Sequence, residues 1–145
     1  MAHRTLIRLL LVASVGLVPM GLSTSPVRAD TIAGLQTPSG NIQCMYYKDA
    51  KNESLRCTVL NSTAAFEKKP ADCDFDWGAD VGMDAKGKAS RLCISDTVAG
   101  KYPVVAYGTQ WKKGAFTCTS ATSGLTCRNS SRHGFTIAKA KQTIF

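Results

Sequence analysis

Few side chains in this sequence could carry chemistry, and their spacing limits what they could do. His133 is the single histidine beyond His3, and with Asp96 and one of many serines it has the composition of a nucleophile, base and acid set, as in a small hydrolase. The local pattern is against it. No Gly-x-Ser-x-Gly surrounds a serine, and Asp96 in Ser95-Asp96-Thr97 fits a carboxylate that accepts backbone amides of its own turn. The run Asp72, Asp74, Asp76, Asp80, Asp84 has enough carboxylates to invite a calcium reading. Counted from Asp72, however, glycine falls seventh rather than sixth and the twelfth position is Met83, so Asp74 and Asp76 read instead as the wet face of a strand. No two cysteines stand two to four residues apart, which removes the usual zinc spacing. Glu53 and Glu67 are the only glutamates, so a glycosidase would have to recruit aspartates. Neither a metal nor a cofactor is expected, and an enzyme is the less favoured reading.

The other chemical resource is a late cluster of cations and rings: Trp111, Lys112, Lys113, Arg128, Arg132, His133 and Phe135, with Lys139 and Lys141 beyond. Cations beside aromatic rings can hold an anionic polymer, a phosphate-rich glycan or an acidic protein. Ordinary solvated charge is the plainer alternative, because residues 30–145 carry 15 basic and 10 acidic side chains, a modest surplus.

These residues must be placed by the rest of the chain, beginning with where the chain goes. Residues 1–29 combine a basic start (His3, Arg4, Arg8), an apolar run from Leu9 to Leu22 and the small-residue ending Val27-Arg28-Ala29, the pattern of a signal peptide cut before Asp30. The run spans 14 residues and contains Pro19, short of the about 20 apolar residues a membrane-spanning helix needs. An exported protein without a membrane span after processing is expected, periplasmic or extracellular, where nucleic acid is an improbable ligand. Residues 30–145 then form a single secreted domain. Leu, Ile, Val and Phe supply only 20 of those 116 residues, so the core is thin, while all six cysteines remain to reinforce it.

Six cysteines allow 15 pairings, and strand alternation selects among them. Ile42, Cys44 and Tyr46 share one face of a strand, as do Leu55, Cys57 and Val59. An antiparallel register that sets Cys44 against Cys57 also sets Tyr46 against Leu55 and Ile42 against Val59. A related arrangement returns at Phe116-Thr117-Cys118 and Leu125-Thr126-Cys127 around a turn at Ala121–Gly124, so the chain reads as two stapled hairpins with Cys118 paired to Cys127. Cys73 and Cys93 pair by elimination.

Elsewhere, Cys73, Phe75 and Trp77 alternate with Asp74 and Asp76, and Leu92 and Ile94 with Arg91 and Cys93, which reads as two further strands. A helical turn is expected over 64–69, capped by Asn61, Ser62 or Thr63 and ended by Pro70. Val104 to Tyr107 reads as a short strand and Phe135 to Ala138 as the last one, with 139–145 a helical turn or a frayed end. The expected fold is all-β: a small disulfide-stapled antiparallel barrel or sandwich of about seven strands.

Taken in order, Thr37-Pro38-Ser39-Gly40-Asn41-Ile42 before Cys44, Leu55-Arg56-Cys57, Cys73-Asp74-Phe75-Asp76-Trp77-Gly78, Ser95-Asp96-Thr97-Val98, Tyr107-Gly108, Trp111, Gly124-Leu125 and His133-Gly134-Phe135 resemble a bacterial exported family of unknown function. The resemblance covers nearly all of residues 30–145 and implies an envelope or secreted location, without an activity, ligand or catalytic residue to carry over. A looser likeness is to small periplasmic β-barrel inhibitors of lysozyme. The functional expectation is a non-enzymatic binding module for a protein or glycan ligand of the cell envelope, with a His133 and Asp96 hydrolase or a lysozyme-inhibitor-like protein as alternatives.

Overall fold

Alternating apolar and polar positions become ten strands in the computed structural model, which describes residues 30–145. The expected signal peptide, residues 1–29, lies outside the described residues. Strands β1 (Thr31–Gln36), β2 (Ile42–Lys48), β3 (Glu53–Val59), β4 (Asp76–Asp84) and β5 (Ser90–Ile94) pair in chain order into one antiparallel sheet. Strands β6 (Gln110–Lys113), β7 (Phe116–Ala121), β8 (Gly124–Arg128), β9 (Gly134–Ile137) and β10 (Gln142–Ile144) form the second in the same way. The all-β expectation holds, as a sandwich of two meanders rather than a closed barrel, with ten strands in place of about seven.

The two sheets are built alike. In the first, Leu35, Cys44, Cys57 and Val81 stand in one cross-strand row; in the second, Trp111, Cys118, Cys127 and Phe135 do. The adjacent rows, Tyr46, Leu55, Met83 and Ser120, Leu125, Ile137, keep the same offset. The sequence repeat is therefore also a repeat of register. The paired faces meet in one core, where Tyr46 sets its ring edge-on to Phe116 at 6.0 Å and to Trp111 at 6.4 Å. Disulfides join Cys44 to Cys57, Cys73 to Cys93 and Cys118 to Cys127. The first and third meet at the centre, the sulfurs of Cys44, Cys57 and Cys127 all lying within 4.8 Å of one another. Bonded sulfurs in a buried stack fill space that a richer sequence would give to leucines, and they are not available to a metal.

Four local expectations are corrected. No helical turn forms over 64–69. The stretch crosses the first sheet with the Glu67 carbonyl accepting from Trp77 Nε1 at 3.1 Å, its carboxylate held by Arg91 at 2.6 Å, and Phe66 packed over Gly78. Gly78 has φ +104°, and a Cβ there would fall 2.3 Å from the Phe66 ring, so tertiary contact overrides a weak helical preference. The acidic strand starts at Asp76, later than the alternation from Cys73 implied, and leaves Phe75 exposed. Residues 142–144 form a tenth strand because Ile144 packs on the core opposite Phe135. Of 104–107, only Val104 makes a bridge, to Gln36, where it covers the free edge of β1.

The outer faces of the two sheets differ. Over the first, the segment after β5 lies down with Val98 buried and the Tyr102 ring against Gly34, where a Cβ would come within 2.2 Å of it. Arg56 clamps this cover through Asp96, whose carboxylate and carbonyl it reaches at 2.9 and 2.6 Å. The second sheet turns outward the rows Gln110, Thr119, Thr126, Thr136, Thr143 and Lys112, Thr117, Arg128. Thr126 and Thr136 share a hydrogen bond at 3.0 Å, Gln110 donates to Thr119 at 3.2 Å, and the face stays partly open to solvent.

Candidate binding surface

Strands β6 and β8 both run antiparallel to β7, so their last residues and the first of β9 emerge at the same end of the second sheet. That geometry gathers Lys112, Lys113, Arg128, Arg132 and His133 at one end, as a candidate surface requires. Lys112 and Arg128 flank Thr117 in one outward row, two strand spacings or about 10 Å apart. The exposed lysines also guard the free edge of β6.

Two aromatic members of the predicted set go elsewhere. Phe135 is fully buried and Trp111 leans on the core against Tyr46, because in an alternating strand their positions face inward while their neighbours face out. The accessible ring at this end is Phe145, over which the Arg128 guanidinium sits at 4.5 Å. A residue near the end of β10 had no pattern of its own to announce it. The loop carrying Arg132 and His133 is well anchored: Asn129 donates its side-chain amide to the carbonyls of Asp84 and Gly87 and accepts the amides of Ser131 and His133. Arg132 takes φ +67° inside this turn.

Charge is divided between the two halves of the sandwich. Residues 108–145, which build the second sheet, contain six Lys and Arg and no Asp or Glu; residues 30–107, the first sheet and its cover, contain nine against ten. The acids of the first half are moreover partly committed. Asp80, buried on β4, accepts from Arg56 at 3.0 Å and from Thr58 at 2.9 Å, so this member of the acidic run is internal rather than wet. Glu53 on β3 binds Lys48 at 2.8 Å, the Ala115 amide at 2.7 Å and the Tyr46 hydroxyl at 3.2 Å, tying the first sheet to the turn between β6 and β7. These donors, Lys48 first, hold its carboxyl below the usual glutamate range. Gly114 in that turn has φ +51°, and a Cβ there would collide with the Glu53 carboxylate.

The arrangement does not form an acid and base pair. Asp96 spends its carboxylate on Arg56 over the first sheet, and the His133 imidazole, on a loop of the second, makes no hydrogen bond or ion pair among the described residues.

At the opposite end of the sandwich lies an open groove of about 560 Å³, walled by the β1–β2 turn, the chain after β3, the Tyr107 turn, the β7–β8 turn and the chain after β9. Its lining mixes short hydroxyl and amide side chains with Ile42, Ala121 and Ala138, drawn from five turns that share no period; Thr37 to Ile42, Tyr107 and Gly124 stand out in the sequence as members of the family resemblance.

A model of a family of unknown function, DUF6636, matches residues 16–145. No curated protein and no solved structure matches the chain.

Proposed function

We propose a function for this chain from its own surface, because it belongs to DUF6636, a family of unknown function. It is an exported, non-catalytic binding module that holds an anionic glycan of the cell envelope against the basic end of its second sheet. The observation that carries this reading is the division of charge: residues 108–145 hold six cations and no acid, and four of the six, Lys112, Lys113, Arg128 and Arg132, stand at this end. An anionic chain lying across the outer face would meet Lys112 and Arg128 one short glycan unit apart, with threonine hydroxyls between them for the sugar hydroxyls. Phe145 stiffens Arg128 from below, which lowers the side-chain entropy lost on binding.

Export is supported by the signal-like residues 1–29 and by three disulfides, which persist in oxidising compartments. A non-catalytic role is supported by the commitment of Asp96 to Arg56. The test is titration of the oxidised protein with a uronate polymer, with neutral dextran as control. The triple variant Lys112→Ala, Arg128→Ala, Arg132→Ala is expected to weaken uronate binding by at least about tenfold, since each charged contact is worth on the order of 1 kcal/mol. Equal affinity of wild type and triple variant would refute the assignment, as would His133-dependent release of reducing sugar.

A further inference from the structure

We infer that the groove at the other end of the sandwich is a second binding site, which takes a short neutral glycan segment. The inference is independent of the basic face, because the groove stands on different residues and a different chemistry. Its lining is almost uncharged: Lys139 is the single ionisable side chain other than Tyr107, and no carboxylate reaches it. Thr37, Ser39 and Asn41 from the β1–β2 turn, whose side-chain oxygens take part in local hydrogen bonds, share the lining with Thr122 and Ser123 from the β7–β8 turn and with Asn61. The apolar members are the buried Ile42 and the small Ala121 and Ala138, which offer a peptide no large side-chain pocket, and an ionic ligand would need more than one cation. Neutral hydroxyls and amides around an exposed aromatic ring match a sugar instead, whose hydroxyls pair with short polar side chains and whose C–H face lies on a ring.

Tyr107 supplies that ring, 41 % exposed. Its turn is held in place before any ligand arrives: the Gly108 amide donates to the Ser120 carbonyl at 2.8 Å, and Ser120 returns its amide to Thr109 at 3.0 Å. The facing wall is equally fixed. Leu60 and Asn61 donate their amides to the carbonyl and side-chain oxygen of Asn41, and Thr63 donates its amide to the Lys139 carbonyl at 2.7 Å. These bonds consume backbone groups and leave the hydroxyls of Tyr107, Thr122 and Ser123 and the side-chain amide of Asn61 facing a groove whose shape is set by both sheets. The volume of about 560 Å³ lies within the range of small-ligand sites and accommodates a short oligosaccharide.

The experiment maps backbone amide shifts of the oxidised protein on titration with β-1,4-linked trisaccharides of glucose and of N-acetylglucosamine. Saturable shifts at Asn41, Asn61 and Thr122 to Gly124, unchanged between low and high salt, are expected for either sugar. Tyr107→Ala should weaken binding by about tenfold, the worth of a stacked ring, with only a small fall in melting temperature because Tyr107 lies outside the core cluster. Thr122→Trp, at the exposed rim, should block the groove. The Lys112, Arg128 and Arg132 triple variant should leave it untouched, which separates this site from the basic face. Absence of shifts at millimolar sugar, or shifts that survive both Tyr107→Ala and Thr122→Trp, overturns the inference.

Discussion

Arg56 shows how much one side chain can organise. Its guanidinium joins Asp80 within the first sheet to Asp96 in the covering segment, and the two partners differ sharply in setting: Asp80 has 11 % of its side chain exposed, Asp96 75 %. Removing the cation strands a buried carboxylate, whereas removing the exposed partner forfeits a screened pair. Arg56→Met should therefore cost about 3 kcal/mol and Asp96→Asn under about 1 kcal/mol, read from urea unfolding midpoints. Equal costs would show that the cover, not the buried acid, is what Arg56 serves. Glu53 makes a prediction in pH. Its carboxyl is held below the usual range by Lys48, the Ala115 amide and Tyr46. The stabilisation is then complete above the unfolded glutamate pKa of about 4.3 and is lost as pH falls through the lower folded value. Melting temperatures of wild type and Glu53→Gln should differ most at neutral pH and converge as pH is lowered below 4. Asp49 nearby adds to the same acid limb, since the Asn52 side chain and the Lys51 and Asn52 amides hold it well below the ordinary aspartate range.

At the level of elements, the two stapled hairpins and the third disulfide separate chain entropy from packing. The loops they close span 9, 13 and 20 residues, and the entropy model ranks the longest as most stabilising by less than about 1 kcal/mol over the shortest. Burial ranks them the other way. Cys44, Cys57, Cys118 and Cys127 are fully inaccessible and stacked between the sheets, while Cys93 is partly exposed. Replacing either central pair with serine should thus cost more than replacing Cys73 and Cys93, by about 2 kcal/mol from the unpaired hydroxyls left in the core. Thermal unfolding of the three double variants checks the order, and a Cys73 and Cys93 variant that proved least stable would give the decision to chain entropy. The hairpin registers were legible because three apolar or sulfur pairs agreed on one alignment. The extended 64–69 stretch was not, because its carbonyl goes to Trp77 and its carboxylate to Arg91, partners 10 and 24 residues away.

For the whole molecule, the division of charge matters more than the total. A net excess spread evenly would be screened within about 8 Å at physiological ionic strength, but six cations on a stretch of chain without an acid of its own give the second sheet a field that extends beyond any one of them. Affinity for a uronate polymer should fall steeply with salt, and the triple variant at Lys112, Arg128 and Arg132 should show a shallower slope in log affinity against log salt. Parallel slopes would place the contacts elsewhere. The basic cluster itself was legible as a run of residue types. Which of its rings reach solvent was not, since Phe135 and Trp111 point inward and Phe145 takes the place beside Arg128.

Composition and alternation by themselves determined that this protein is all-β, that four of its cysteines pair within two hairpins, and that a group of cations stands near its end. All three are local properties: period-two alternation and short loops leave one register that buries the apolar set. Only the tertiary structure decided that two meanders close into a sandwich with their disulfides stacked, that Asp96 belongs to Arg56 rather than His133, and that five separate turns form a groove. Those outcomes depend on contacts between residues far apart in the chain, whose energies arise when the two sheets meet and which no window of sequence contains.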